Sequence, residues 1–269
     1  YKGQVFFQKN ALVRVPIRLG QDTFTKGEIS KKNLRRIIKS MKAFRLLMKV
    51  HGVEDYLAFA TSALRGAKNC SQVVERVFNK SKIQIEIIDG KKEAKIISNS
   101  NVFENIDIEK TFLFIDVGGG STEISILKGG KRLNSNSFKI GTVRLLNKGF
   151  DQRIWNQLEI WVKKHTKIYS KIYLLGTGGN INKLHKISNV KDNRPITFLT
   201  LNLIYNKLNE LTYDERIIEL GLNPDRSDVI IPATKLFLKI FEWSGAKVIY
   251  VPKVGLSDGM IRELYKNKN

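Results

Sequence analysis

Cysteine is nearly missing from this 269-residue chain. Cys70 stands alone, so no internal disulfide can brace the fold and a reducing compartment is expected. Histidine is scarce as well. His51, His165 and His185 fall in no metal-ligand spacing, which argues against a histidine-based zinc site. No apolar run approaches the roughly 18 residues a bilayer span needs, and no secretory leader opens the sequence. A cytoplasmic protein with no membrane contact is the expectation. Acidic residues are outnumbered, 25 against 47 Lys and Arg, for a formal net charge of +22. Such a surplus favours polyanionic partners: phosphate chains, nucleotides or nucleic acid. The lysines are scattered, however, and a compositional bias would give the same total, so charge alone names no partner.

What is present is an ordinary globular composition, 42% hydrophobic, and a length that suits one large or two medium domains. The most informative stretch is 111–127, TFLFIDVGGGSTEISIL. An apolar run ends in Asp116, Gly118, Gly119 and Gly120 follow, and then come Ser121, Thr122 and Glu123. Ile124 and Ile126, two apart, predict a second strand after the glycines. A Walker A loop or a dinucleotide fingerprint would place a helix there. Glycines let a backbone approach a ligand closely and aim N–H groups at an anion. Asp116 and Glu123 flank that nest, and two carboxylates beside a phosphate suggest a divalent cation between them. A plain hairpin with a glycine-rich turn is the simpler reading.

Along the rest of the chain, 4–7 and 11–16 read as short strands and 17–29 as a loop. Ser30 reads as the N-cap of a long helix whose stripe includes Leu34, Ile37, Ile38, Met41, Leu47 and Met48. Strands are expected at 56–60 and 83–88. A helix over 70–79 is expected to bury Val73, Val74, Val77 and Phe78, with Cys70 as inert filler. Residues 61–65, TSALR, bring hydroxyls and Arg65 to a strand end. They read as an anion site or as an ordinary N-cap beside a surface arginine. Glu93 falls in the first turn of a helix. It reads as a dipole-compensating residue or as a general base beside the nest, and spacing does not decide. The polar stretch 99–109 suits a domain boundary. After 154–165, an amphipathic helix, the strand 172–175 leads into Gly176-Thr177-Gly178-Gly179-Asn180. This second glycine turn opens a helix and gives a second place for a phosphate. A loop is expected before the helix at 230–243, then a strand at 247–251 and a terminal helix.

Taken together, IDVGGGSTE (115–123), GTGGN (176–180) and GLSDGM (255–260) resemble, in order and spacing, motifs of the actin-like ATPase superfamily. ATSALR (60–65) and the Glu93-Ala94 helix start resemble, more narrowly, the Ppx/GppA family of exopolyphosphatases and guanosine pentaphosphate phosphohydrolases. The resemblance implies an α/β fold of two RNase H-like lobes with an interdomain cleft. The first lobe would be 1–100 and the second 101–255, with helix 256–269 packing back on the first. It implies Mg²⁺-dependent hydrolysis of a terminal phosphoanhydride, in polyphosphate or at the 5′-phosphate of pppGpp. By position, Glu93 matches the base that activates water, and Asp116 and Glu123 match the acidic pair at the metal and attacking water. Arg65 matches an arginine on the phosphate path. Gly118, Gly119, Gly120 and Ser121 match one phosphate cradle; Gly178, Gly179 and Asn180 match the other. An Asp-Ile-Gly-Ser-Asn-type opening turn is expected upstream of Tyr1 and is not in the sequence. Lys92 stands where relatives often carry an acid, and the additional C-terminal helical domains of long relatives are expected to be missing, which counts against processive handling of long polyphosphate. The alternative to an enzyme is a non-catalytic sensor binding (p)ppGpp or polyphosphate in the same cleft. A nucleic-acid binder rests on charge alone. The motifs do not choose between the two phosphate substrates, nor fix the oligomeric state, a homodimer being one option.

Overall fold

The computed structural model describes residues 7–98, 107, 109–148, 151–252 and 254–268. The strand expected at 4–7 and the boundary at 99–109 lie largely outside them. The chain is α/β. Its first part holds α1 (Leu19–Lys26), α2 (Lys31–Val50), β1 (Phe59–Ala60), α3 (Ser62–Arg65), α4 (Cys70–Ser81), β2 (Glu86–Ile87) and α5 (Gly90–Ser98). Helix α2 starts as expected: Ser30 Oγ accepts the Asn33 N–H at 3.2 Å, and the buried Asp22 carboxylate accepts from the Ser30 N–H and hydroxyl. Leu34 and Ile37 of α2 pack with Val73 and Val77 of α4 under the parallel pair β1–β2.

Several expectations for this part fail. Residues 11–16 form no strand, because no neighbouring strand among the described residues offers a ladder; Leu12 and Val13 stand exposed. Ion pairs hold the segment instead, Arg14 to Asp225 and Arg18 to Asp228. The expected loop at 17–29 contains α1, stopped by Gly27 at φ 80°. Phe78 and Leu47 are each about two-fifths exposed, on the outer edges of their helices.

The second part holds β3 (Phe112–Val117), β4 (Thr122–Lys128), β5 (Lys131–Phe138), α6 (Thr142–Lys148), α7 (Gln152–Thr166), β6 (Tyr173–Thr177) and α8 (Gly179–Ile187). After these come β7 (Ile196–Thr197), α9 (Phe198–Glu210), α10 (Tyr213–Ile218), α11 (Pro224–Ser227), α12 (Ile230–Ser244), β8 (Val248–Tyr250) and α13 (Leu256–Lys268). Helices α10 and α11 replace the expected loop. The Thr212–Glu215 capping box starts the first and Pro224 at its first turn the second. The sheet order is β5-β4-β3-β6-β8-β7. An antiparallel meander, β3 to β5, continues into the parallel strands β6 and β8. One face is covered by α7, α8, α9 and α12 through Leu158, Leu184, Leu201 and Phe237, which are fully buried. On the other face Ile97 of α5 meets Phe112, Phe114, Leu127 and Leu175. Helix α13 packs on α5 so closely that a Cβ on Gly259 would overlap the Ile96 carbonyl.

Candidate active site

The carboxyl ends of two neighbouring parallel strands, β3 and β6, bring the glycine turns together. Asp116 and Thr177 are register partners there. Open α/β sheets bind ligands at such strand ends. The first turn is a hairpin, as its sequence predicts, with Asp116 directly opposite Glu123 and Val117 opposite Thr122. None of its three glycines needs a positive φ. Space is what they supply. A side chain on Gly120 would overlap the Phe24 ring, and one on Gly141 would sit 2.6 Å from the Gly119 carbonyl carbon. The N–H groups of Val143 and Arg144, opening α6, donate to the Gly119 carbonyl, and the Arg144 guanidinium lies over the Phe24 ring. The turn is thus clamped from outside by α1 and α6.

Glu123 is 1% exposed, and its Oε1 accepts the Ser137 hydroxyl at 2.9 Å from the next strand. Burial raises its pKa against the opposing hydrogen bonds from Ser121 and Ser137. Burial, and then the charge of Glu123, push Asp116 up to about 7. Glu93 arrives on α5, whose N-terminus is capped by Asp89 accepting the Lys92 N–H at 2.7 Å. A Cβ on Gly90 would meet the Ser137 hydroxyl at 2.7 Å and Glu123 Oε1 at 3.4 Å, so only glycine lets α5 approach this closely. Burial first, then Glu123 and Asp116, drive Glu93 up to about 8, with Arg65 pulling the other way. Arg65 Nη1 is 4.0 Å from Glu93 Oε2 and donates to the Ile88 carbonyl. Glu93 Oε2 is buried without a hydrogen-bond partner among the described residues.

The structure therefore brings Arg65, Glu93, Asp116 and Glu123 into one site, along with the turn 118–121. The second turn adjoins it. Gly178 has φ 100°, and a Cβ there would lie 2.8 Å from Asp116 Oδ1. Gly179 and Asn180 form the first turn of α8, where N–H groups lack intrahelical acceptors. Sequence reasoning missed Arg226, whose half-buried guanidinium lies against Gly179 with no space for a side chain between them. Nothing in the spacing signals a contact across 47 residues. Ser137 was findable, since the meander register pairs it with Glu123.

Among the described residues no three His, Cys, Asp or Glu side chains converge as a metal cage. The donor set nonetheless suits a hard cation. Asp116 and Glu123, on adjacent strands, both raised by burial and Asp116 further by the charge of Glu123, would offer oxygen ligands to a divalent cation. No helix among the described residues is long and apolar enough to cross a membrane.

The chain is 29% identical over 275 residues to a bifunctional 3-dehydroquinate synthase/phosphatase of Fusobacterium nucleatum, covering 94% of this chain and 41% of that protein. It is 23% identical over 273 residues to a guanosine-5′-triphosphate,3′-diphosphate pyrophosphatase of Photobacterium profundum, covering 96% of this chain and 54% of that one. The chain thus spans about half the length of these relatives or less. The crystal structure of an exopolyphosphatase from Cytophaga hutchinsonii superposes with a TM-score of 0.84 at 22% identity, covering 93% of this chain and 88% of the other, which shows a shared fold. The sequence pattern of one family runs through residues 3–268 and takes in both glycine turns, Arg65 and Glu93: the chain belongs to the Ppx/GppA phosphatase family.

Proposed function

We propose that this chain hydrolyses the terminal phosphoanhydride of a polyphosphate or of the 5′-triphosphate of pppGpp. The observation that carries the reading is Glu93, a buried carboxyl pushed up to about 8 beside Glu123, Asp116 and Arg65. A pKa near the working pH is what a general base requires. Asp116 and Glu123 would hold Mg²⁺, which would supply positive charge to the phosphate oxygens in the transition state. The Gly118 N–H is held by the Ser121 carbonyl, so the N–H groups of 119–121 and of the turn 178–180 would cradle the phosphates, and Arg65 steadies the transferred group. Glu93 takes a proton from water as its oxygen bonds to the terminal phosphorus. The bond from that phosphorus to the bridging oxygen breaks, and the shortened chain leaves with the electron pair. The two named substrate classes come from the relatives' names; the site accounts for the chemistry they share.

The test is phosphate release with Mg²⁺ from long polyphosphate and from pppGpp in parallel, for the wild type and Glu93→Gln. Release that collapses in the variant supports the hydrolase and names its preference. Binding of either ligand without release would favour a sensor. Undiminished release by the variant would overturn Glu93 as base.

A further inference from the structure

Glu123 lies 1% exposed near the start of β4. The last torsion of a glutamate side chain is broad and roughly two-fold, so burial alone does not fix which way its carboxylate turns. Hydrogen bonds have to do it, and the hydroxyls of Ser121 and Ser137 both donate. The two donors are not equally free. Ser121 belongs to the glycine turn assigned above to the phosphates, and a phosphate oxygen competes for its hydroxyl. Ser137 stands outside that turn, on β5, the edge strand of the sheet.

The Ser137 hydroxyl is fixed from more than one side. It donates to Glu123 Oε1 at 2.9 Å across a pair that is in register. The Ser137 N–H turns to Asn136 Oδ1 at 2.9 Å, as in a non-hydrogen-bonded antiparallel pair, whose side chains lie closest together. Helix α5 closes the other side. A Cβ on Gly90 would stand 2.7 Å from the Ser137 hydroxyl and 2.8 Å from the Ser137 Cβ, so the helix that carries Glu93 begins against this side chain. Residues 133–137 are exposed, and a hydroxyl on such an edge ordinarily bonds to water or backbone. This one bonds a buried carboxylate and abuts the helix of the base.

We propose that Ser137 is a positioning residue of the hydrolytic site, holding the Glu123 carboxylate in the orientation that receives a divalent cation while phosphate occupies the glycine turn. It acts through Glu123 and need touch neither substrate nor cation. The proposal rests on the reading of Asp116 and Glu123 as cation ligands, and not on which phosphate chain is cleaved. Loss of such an outer hydrogen bond weakens metal affinity or activity by about 10- to 100-fold.

The experiment is calorimetric titration of the full chain with Mn²⁺, standing in for Mg²⁺, alongside phosphate release. Ser137→Ala is expected to weaken Mn²⁺ binding about tenfold and to lower kcat at a fixed, limiting cation concentration by a similar factor. KM for the phosphate chain should stay within about twofold, since the phosphate cradle is untouched. Ser137→Thr keeps the hydroxyl on a strand that accepts β-branched residues, and restores both values. Ser135→Ala removes a hydroxyl from the same strand opposite Ser125, and changes neither. Mn²⁺ binding by Ser137→Ala as tight as in the wild type, or an equal loss in Ser135→Ala, would overturn the proposal. A wild type that binds Mn²⁺ but releases no phosphate would sink the hydrolase reading alone, and the Mn²⁺ affinities of the variants would still decide the role of Ser137. A wild type that binds no Mn²⁺ would overturn both.

Discussion

Asp116 and Glu123 stand directly opposite each other across the β3–β4 pair, two carboxylates in register at the buried end of a hairpin. Like charges so placed are destabilising; burial raises both pKa values, and the charge of Glu123 raises that of Asp116 further. A group whose folded pKa is raised contributes stability that is full below its unfolded value and lost as pH rises through the folded one. For Asp116 that window runs from its ordinary 3.8 to about 7. Asp116→Asn is therefore expected to melt several degrees above the wild type at pH 8 without divalent cations, and to converge with it near pH 4. Mg²⁺ raises the wild-type melting temperature, more at pH 8 than at pH 5, and does little for the variant. Melting curves at these pH values, with and without Mg²⁺, measure it; a gap that does not widen with pH would refute the coupling.

Glu93 supplies the second prediction. General bases contribute about 10²- to 10⁴-fold to rate, so Glu93→Gln is expected to lower kcat by that order with KM little changed. Because the base acts ionised and its pKa is driven up to about 8, kcat should rise with pH through neutrality. Raising Mg²⁺ should move that rise to lower pH, since added positive charge favours the carboxylate. A pH–rate profile indifferent to Mg²⁺ would mean that Glu93 does not feel the metal.

The hairpin was legible in the sequence, because Asp116 and Glu123 bracket a turn whose register follows from its length. Glu93 was not legible from local chemistry, since its place in a first helical turn fits a dipole-compensating residue equally well, and only the family resemblance marks it as the base. The purpose of the glycines was not legible. They read as room for a ligand to approach, yet Gly120 and Gly141 are also required by the Phe24 ring and by the Gly119 backbone, contacts that arise from tertiary packing of α1 and α6. The segment at 11–16 failed for the complementary reason. Alternating apolar residues specify a strand only where a neighbour completes the ladder, and ion pairs to Asp225 and Asp228 decide its course instead.

Arg226 yields a third prediction. Its guanidinium sits against Gly179 at the start of α8, beside Lys183, whose pKa burial and nearby Lys186 and Arg226 lower. An arginine at a helix N-terminus is placed to neutralise a bound phosphate. Arg226→Gln is expected to raise KM about tenfold, a loss of about 1.4 kcal/mol, with kcat within twofold. Steady-state kinetics against chain length tests it. A kcat loss at unchanged KM would place Arg226 on the transferred group instead.

Gly178 isolates how the second turn supports the first. Its φ of 100° makes any side chain strained, and a Cβ would press on Asp116 Oδ1 at 2.8 Å. Gly245 offers the control, with φ 69° at the end of α12 and open space around it. Backbone strain of this kind costs about 1–3 kcal/mol. Gly245→Ala should therefore lower stability by that amount and leave Mg²⁺ dependence intact. Gly178→Ala carries a larger strain, because φ 100° with ψ 168° is a region open essentially to glycine alone, and it also presses on a carboxylate oxygen of the proposed cation site. Its stability loss should exceed that of Gly245→Ala, and the Mg²⁺ concentration for half-maximal activity should rise about tenfold, as expected when a supporting contact of a metal site is disturbed. If both alanine variants show the same Mg²⁺ requirement as the wild type, then Asp116 does not hold the cation, and Glu123 with the substrate's own oxygens must do so.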